Sequence, residues 1–286
     1  MTASRRAISA SVPRGSSLYY SIYYAPRPLQ PALHALHAFR QAVTEIPRHV
    51  QDRAVANTKL NWWHDELARA YEGTGQHPIS KAISRDLLPL HPVPQETLQQ
   101  LITAVQTDLD YGLYANFREL SDYCHRTGGA IIELSVAICA AGEMPPAEFA
   151  HDLGMGFQLF ELLRNVRHDL DAGRLYIPET DMQELKVTQA DLLKCRMSEP
   201  IKQLLELQAT RIDDFFTQAL DKLPAQHRQR QRSGIVLAQL YLAQLAEIRA
   251  AGLPLLERSI HLTPTRKLWL AWRTARRQHP HRKNNP

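Results

Sequence analysis

The sequence is poor in cysteine, and its few cysteines form no ligand or disulfide pattern. Cys124, Cys139 and Cys195 are widely spaced, with no CxxC pair and no Cys/His spacing typical of a metal site. A disulfide framework and a zinc-ligand pattern are therefore not supported, because each needs such spacing. Three scattered thiols fit a reducing compartment, and we expect a cytoplasmic protein.

Long hydrophobic runs are also missing. Nowhere do about 18 uncharged apolar residues follow one another, as a membrane-spanning helix requires. No apolar run before Pro13 has the length of a signal-peptide core. The sequence therefore predicts a soluble protein, whose contact with the inner membrane would at most be peripheral.

Signs of β-structure and of common nucleotide or hydrolase motifs are absent too. There is no strand-like alternation, no repeat of about 20–50 residues, no P-loop and no GxSxG motif. Helical periodicities follow one another instead, over residues 32–43, 57–71, 77–90, 95–109, 117–141, 188–195, 199–220 and 226–251. Ser16 or Ser17 can cap a further short helix that begins at Leu18. We predict an all-α fold.

The composition sets the size of the core and the sign of the surface charge. With 286 residues, 44% hydrophobic content and only 12 glycines, the chain can bury one large core. We expect one domain over residues 15–275, a flexible lead-in over 1–14 and a basic tail over 276–286. Much of the net charge of +5 comes from residues 266–282. A solubilising role for this segment is preferred over contact with anionic lipid, and we expect no nucleic-acid partner.

One stretch, residues 157–178, combines an apolar helix with a polar row. Glu161, Asn165 and Asp169 recur every four residues before Gly173 ends the helix. At 3.6 residues per turn these side chains share one face, with about 6 Å between neighbours. Such a row holds cations or an anion if it faces inward, and it is an ordinary solvated face if it does not.

This stretch resembles the squalene/phytoene synthase family, in which a helix of the form Gln-x-x-Asn-x-x-x-Asp-x-x-Glu-Asp precedes Gly-Arg-x-Tyr-x-Pro. The matching positions are Gln158, Asp169, Gly173, Arg174, Tyr176 and Pro178. The departures are Glu161 for the Asn, Asn165 for the first Asp and His168 for the Glu. A second match is Lys-Leu-x-Trp-Trp-x-x-Glu-Leu, here residues 59–67, whose Trp62 and Trp63 we expect in the core.

The resemblance spans about residues 15–275 and implies an isoprenoid-synthase fold, with antiparallel helices around a central apolar cavity. It also implies that two Asp-rich helix faces hold Mg²⁺ against the diphosphate of an allylic substrate. The first such motif would lie at residues 37–48. Thr44 and Glu45 stand at its paired Asp positions and Arg48 at its last Asp, so only Glu45 is acidic. Pro47 predicts that the helix ends near Val43.

Carried over position by position, the resemblance supplies a set of candidate site residues. Catalytic candidates are Glu45, Asp169 and Tyr176; weak metal candidates are Glu45, Glu161 and Asp169; substrate-binding candidates are Ser16, Ser17, Gln158, Arg164, Asn165 and Arg174. Arg48, Arg167 and His168 bring positive charge where the family has acidic or neutral residues. These cations either bind an anion without metal or are solvated and paired with Asp152, Asp171 and Glu179.

Two functions follow from this resemblance. The preferred one is a binding or assembly protein, with or without a protein partner, that holds an isoprenoid diphosphate or another anionic lipid and needs no cofactor. A eukaryotic branch of the family, a non-catalytic assembly factor for respiratory complex I, has such a role. The alternative is an active Mg²⁺-dependent prenyltransferase that makes squalene, presqualene diphosphate or phytoene from farnesyl or geranylgeranyl diphosphate. Whether the chain is an enzyme stays open at this point.

Overall fold

The computed structural model describes residues 11–50 and 52–278, and this part of the chain is helical with no strand. The helices are α1 Ser17–Tyr23, α2 Gln30–Thr44, α3 Ile46–His49, α4 Arg53–Tyr71, α5 Pro78–Ala82, α6 Gln95–Tyr111, α7 Phe117–Cys124, α8 Ala130–Ala140, α9 Ala147–Arg164, α10 Val166–Asp171, α11 Glu179–Glu184, α12 Gln189–Leu193, α13 Glu199–Lys222, α14 Ala225–Arg228, α15 Arg232–Ala250 and α16 Pro264–Arg277. The predicted all-α class is confirmed.

Local sequence signals explain where several of these helices begin and end. The Ser16 side chain accepts a hydrogen bond from the Tyr19 backbone N–H at 3.0 Å, so Ser16 is the N-cap of α1. Helix α2 ends at Thr44, one residue beyond the predicted Val43, and Pro47 lies in the first turn of α3. Proline is tolerated there because the first turn of a helix has no intrahelical partner for its missing N–H.

The centre of the fold is α9, most of whose side chains are buried. Phe157 and Phe160 have no exposed surface, and both stack on Tyr241 of α15. Two glycines let neighbours approach α9 closely. A Cβ at Gly156 would lie 2.9 Å from Phe216 of α13, and one at Gly154 would lie 2.8 Å from the backbone of Gly129. At these two glycines, the absence of a side chain lets α9 pack closely against α13 and against the segment that contains Gly129.

Several predicted helices are interrupted in the structure. Residues 77–90 and 117–141 each contain a π-helical turn, at Ile83–Leu87 and His125–Gly129. A π turn carries one additional residue and leaves the flanking apolar pattern nearly unchanged, so periodicity does not reveal it. The predicted helix over 226–251 is likewise divided into α14 and α15.

Two expectations about burial need correction. Trp63 is 6% exposed and belongs to the core, whereas Trp62 is 43% exposed and packs edge-on against Trp63 and His77. Val12 is 2% exposed and packs in the core, so the fixed part of the chain begins before residue 15. The rest of the predicted flexible lead-in, residues 1–10, lies outside the described residues, as do residues 279–286 of the predicted tail. Within the described ranges, no helix combines the length and the apolar character needed to cross a bilayer.

Candidate functional site

The predicted polar row lies at a break between two helices. Asn165 ends α9 with φ −101° and ψ 7°, and its side-chain amide donates to the Glu161 backbone carbonyl at 2.8 Å. Glu161 is 7% exposed and Asp169 is 2% exposed. A solvated face is therefore excluded for these two carboxylates. Asn165, however, terminates α9 instead of continuing the row as one helix.

Asp169 is bound by an arginine of the other motif. Arg48 Nε donates to Asp169 Oδ1 at 2.8 Å, and Arg48 Nη2 donates to Asp169 Oδ2 at 3.3 Å. The same guanidinium reaches Glu45, with Nη1 at 3.5 Å from Oε1. His49 Nε2 lies 2.8 Å from the second oxygen of Glu45. Glu45 and Asp169 therefore face a common point, and the Arg48 guanidinium lies between them.

Glu161 belongs to a second buried cluster beside the first. It accepts a hydrogen bond from Arg164 Nη2 at 2.9 Å and another from the Tyr241 hydroxyl at 2.8 Å. Burial raises the pKa of Glu161, but the charges of Arg164 and Arg40 and the Tyr241 hydrogen bond outweigh it, so the pKa is lowered. Glu161 is therefore an ionised partner of two guanidinium groups.

Arg40 is a member of this cluster that the motif comparison did not single out. It is 8% exposed, and its guanidinium carbon lies 4.9 Å from the centre of the Phe157 ring. Its Nε has no hydrogen-bond partner in the part of the chain that the structure describes. The same holds there for Arg164 Nε, Arg174 Nη1 and Gln158 Oε1. Three of these four unused polar atoms are donors, which is the chemistry that an anion requires.

Asp108 of α6 is the carboxylate that sequence reasoning missed. It is 2% exposed and accepts hydrogen bonds from the hydroxyls of Tyr114, at 2.7 Å, and Tyr176. Arg174 Nη1 lies 3.8 Å from the Asp108 carboxylate, and burial raises the pKa of Asp108 despite these partners. The sequence contained one signal that Asp108 is buried. It lies three residues after the apolar Val105, and that spacing places both side chains on one helix face.

Tyr176, predicted to orient substrate, is fixed within this cluster by two contacts. Its hydroxyl donates to Asp108, and its ring stacks on Tyr123 with centroids 5.4 Å apart and planes 13° apart. Gln158 lies on α9 beside Gly128, where a Cβ would come within 2.9 Å of the Gln158 Cβ. The structure thus places Gln158 on a buried face of α9 and the partly buried Tyr176 in the loop after α10, and their roles stay predictions.

The serines of the predicted diphosphate site lie near a further group of cations. Ser17 is buried, and the Ser16 hydroxyl is used as the helix cap. Lys267 Nζ donates to the Gly15 carbonyl at 3.3 Å. Burial and then the charge of Arg164 lower the pKa of Lys267. Burial, Arg164 and Lys267 lower the pKa of His261 in the same way. Arg164 is therefore close enough to both to act on them electrostatically.

Charges in the buried centre are balanced among the residues named above. The cations are Arg40, Arg48, Arg164 and Arg174, and the carboxylates are Glu45, Asp108, Glu161 and Asp169. The sequence suggested a more cationic centre because Arg167 and His168 were counted in it and Asp108 was not. Arg167, by contrast, forms an exposed pair with Asp171 at 2.8 Å, as the solvated-and-paired alternative expects. The ring of His168 lies beside that of His49, with centroids 6.3 Å apart.

These residues do not fit a magnesium ion. Mg²⁺ needs several unengaged oxygen ligands in near-octahedral geometry. Asp169 is held by Arg48, and Glu161 is held by Arg164 and Tyr241. Glu45 has Arg48 on one oxygen and His49 on the other. Every carboxylate of the predicted metal set therefore already has a cationic partner.

A separate group of ligand-type side chains lies away from this centre. The ligand atoms of His125, Glu133 and His151 all lie within 4.8 Å of one another. Two imidazoles and one carboxylate suit zinc better than magnesium. These side chains are 46%, 34% and 50% exposed, so they do not replace the missing buried magnesium ligands.

Comparisons with known proteins agree with this architecture. The family described as "Squalene/phytoene synthase" matches residues 12–267. A phytoene synthase from Arthrospira platensis is 26% identical over 224 residues, which are 74% of this chain and 72% of that protein. A presqualene diphosphate synthase from Rhodopseudomonas palustris is 29% identical over 178 residues, which are 62% of this chain and 63% of that protein.

The fold is similar to that of a solved relative as well. The crystal structure of a dehydrosqualene synthase in complex with ligand has a TM-score of 0.78, covers 96% of this chain and 95% of its own, and is 19% identical. At that identity the likeness establishes the fold and leaves the activity open. Together with the family match over residues 12–267, it means that this chain belongs to the squalene/phytoene synthase family.

Proposed function

We propose that this chain binds an isoprenoid diphosphate, or an anionic lipid of similar shape, without Mg²⁺, and that it has lost prenyl condensation. The observation that carries the proposal is the two-pronged ion pair between Arg48 and Asp169. Condensation in this family relies on opposed carboxylates that hold metal against the leaving diphosphate. Here a guanidinium of the chain itself occupies the point that these carboxylates face.

The strength of this pair supports the proposal. Burial alone lowers the pKa of Arg48, but Asp169 and Glu45 outweigh it and raise the pKa above its ordinary value, so Arg48 stays charged. Removing one partner of a buried pair costs about 3–5 kcal/mol, because the other charge is left uncompensated. A metal ion would have to displace Arg48 from Asp169 and supply the compensating charge itself.

The unused donors support the anion-binding half of the proposal. Arg40 Nε, Arg164 Nε and Arg174 Nη1 are buried N–H groups without a hydrogen-bond partner among the described residues, although Arg174 Nη1 lies 3.8 Å from Asp108. A buried donor left without an acceptor costs about 1–3 kcal/mol, so an oxygen-rich anion that satisfied such donors would bind favourably. Guanidinium groups suit diphosphate oxygens because they donate in a fork.

Titration calorimetry with farnesyl or geranylgeranyl diphosphate tests this function. We expect binding in EDTA that Mg²⁺ changes little. Replacing Arg164 or Arg174 by Ala should weaken binding by roughly tenfold or more, since a charge-assisted hydrogen bond contributes on the order of 1.5–3 kcal/mol. Arg167→Ala is the matched control, because Arg167 is exposed and paired with Asp171. Binding that occurs only with Mg²⁺, or that is as tight in both test variants as in the parent, would overturn the metal-free site.

The alternative is active condensation, which the names of the relatives favour. Incubation with either diphosphate and Mg²⁺, followed by extraction and chromatography, distinguishes the two functions. We expect unreacted substrate. Robust formation of squalene, presqualene diphosphate or phytoene would show that Glu45, Glu161, Asp169 and Asp171 rebuild a metal site during turnover, and the proposal would then be wrong. A cytoplasmic location and an assembly role with a protein partner stay part of the proposed function.

A further inference from the structure

A groove lined by exposed aromatic side chains runs along the outside of the fold, between α1 and α16. We call it the aromatic groove, and its apolar lining consists of Tyr20, Tyr23, Tyr24, Leu268, Trp269 and Trp272. It encloses a volume of about 730 Å³, larger than the other described cavities. Large apolar patches on a soluble protein mark interaction surfaces.

Helix α16 exposes this lining although it has a second apolar face to bury. Leu270 and Ala271 pack inward on α15 and are 9% and 0% exposed. On the outer side, Leu268, Trp269 and Trp272 are 50%, 51% and 46% exposed. Burial in this fold therefore explains the inner stripe and leaves the three outer side chains about half exposed.

The charges around the aromatic groove all have one sign on α16. The helix carries Arg266, Lys267, Arg273, Arg276 and Arg277 and has no acidic residue. The guanidinium carbon of Arg273 lies 4.5 Å from the centre of the Trp269 ring, and that of Arg276 lies 4.9 Å from the centre of the Trp272 ring. Both tryptophans of the groove thus have a cation on one face, so a partner that contacts the rings also meets positive charge.

We propose that the aromatic groove and its cations dock onto the surface of an anionic lipid bilayer. Tryptophan and tyrosine favour the boundary between acyl chains and headgroups, and arginine binds lipid phosphates as a fork. A helix with an apolar face and a basic rim lies in the plane of that boundary. The opposite signs of α16 and of anionic headgroups decide for a bilayer over a neutral apolar partner.

The aromatic groove lies beside residues of the predicted substrate-binding set, so docking has a consequence for substrate access. Lys267 precedes Leu268 on α16, and its Nζ donates to the carbonyl of Gly15, which lines the groove and comes directly before Ser16 and Ser17. Docking would therefore hold Ser16 and Ser17 of the predicted substrate-binding set near the membrane. This step rests on the proposed function, whereas the docking itself does not.

Vesicle flotation tests the docking. We expect the chain to float with vesicles of phosphatidylglycerol and phosphatidylcholine and to stay behind with phosphatidylcholine alone. The double variant Arg273→Gln/Arg276→Gln should bind about 25-fold more weakly, at about fivefold per cation near the surface. The loss should shrink at high salt, which screens such charges. Trp269→Ala/Trp272→Ala should abolish flotation, whereas Trp62→Ala, which removes a 43% exposed tryptophan from α4, should not.

Other outcomes decide against the bilayer. Flotation that is equal for the parent and both double variants, or that ignores phosphatidylglycerol, would overturn the proposal. So would a dimer, seen by analytical ultracentrifugation, that Trp269→Ala/Trp272→Ala dissociates while vesicles bind neither form, since the groove would then hold a second copy. Circular dichroism confirms that each variant is folded. Arg164→Ala should still float, which separates a failure of docking from a failure of diphosphate binding.

Discussion

Arg48 stands where the family's first acidic motif has its last aspartate, and its side chain contacts acids from both motif positions. The replacement of acid by base is visible in the sequence, but its partner is not, because Asp169 is 121 residues away. The same limit applies to Asp108, whose partner Tyr176 is 68 residues away. Sequence reasoning at this scale identifies residues and cannot pair them.

Replacing Arg48 by Ala should destabilise the protein by about 3–5 kcal/mol, because Asp169 is left buried and uncompensated. Arg167→Ala is the control, since that exposed pair with Asp171 is worth at most about 1 kcal/mol. Urea unfolding at neutral pH measures both. Equal midpoints for the two variants would contradict a buried, strong pair. We also expect Mg²⁺ to raise the midpoint of Arg48→Ala and not that of the parent.

His37 should make stability depend on pH below neutrality. Burial, followed by the charge of Arg40, lowers its pKa from 6.5 to about 3. Above pH 6.5 both folded and unfolded chains hold it neutral. As the pH falls toward 3, only the unfolded chain gains the proton, so stability is lost in that window. Between pH 7 and 5 the loss should be about 2 kcal/mol. Urea unfolding of His37→Gln should lack this component, and an identical pH dependence in variant and parent would contradict it.

Helices and their ends follow from the sequence where one residue decides them. Pro47 predicted the end of α2, and Ser16 predicted the cap of α1. The breaks without such a signal were missed, at Asn165 and at the π turn His125–Gly129. That π turn packs against α9, where Gly154 lies against Gly129. This π turn depends on packing against a neighbouring helix, so the local sequence pattern does not predict it.

Gly154→Ala tests the contact between α9 and this π turn. In a free helix the change would stabilise by about 1 kcal/mol. Here the new Cβ would lie 2.8 Å from the Gly129 Cα, a backbone atom that cannot swing away. We expect a net destabilisation of about 1–3 kcal/mol in thermal unfolding. Gly234→Ala is the control, because its only close contact would be with the end of the flexible Leu153 side chain at 2.8 Å, while Phe149 lies at an ordinary 3.6 Å. If both changes were tolerated equally, the close approach would carry no constraint.

For the molecule as a whole, the sequence predicted the fold class and the central place of residues 157–178. Both depend on periodicity and on two motif matches, at residues 59–67 and 173–178, which can be recognised without knowledge of any contact. The electrostatic balance of the centre could not be predicted the same way. It depends on Asp108 and Arg40, which the motif comparison did not single out as site residues and which only the packed helices bring to the site.

The ion pair between Arg48 and Asp169 has a consequence for the protein in its ligand-free state. A relative with free carboxylates at these positions requires an outside cation to neutralise them, so its site responds to the supply of that cation. In this chain the counter-ion is covalently attached through the backbone, at an effective concentration that dilution and chelation leave unchanged. The charge of Asp169 is therefore compensated as soon as the chain has folded. This compensation depends on the amino-acid sequence and not on the ionic composition of the surroundings.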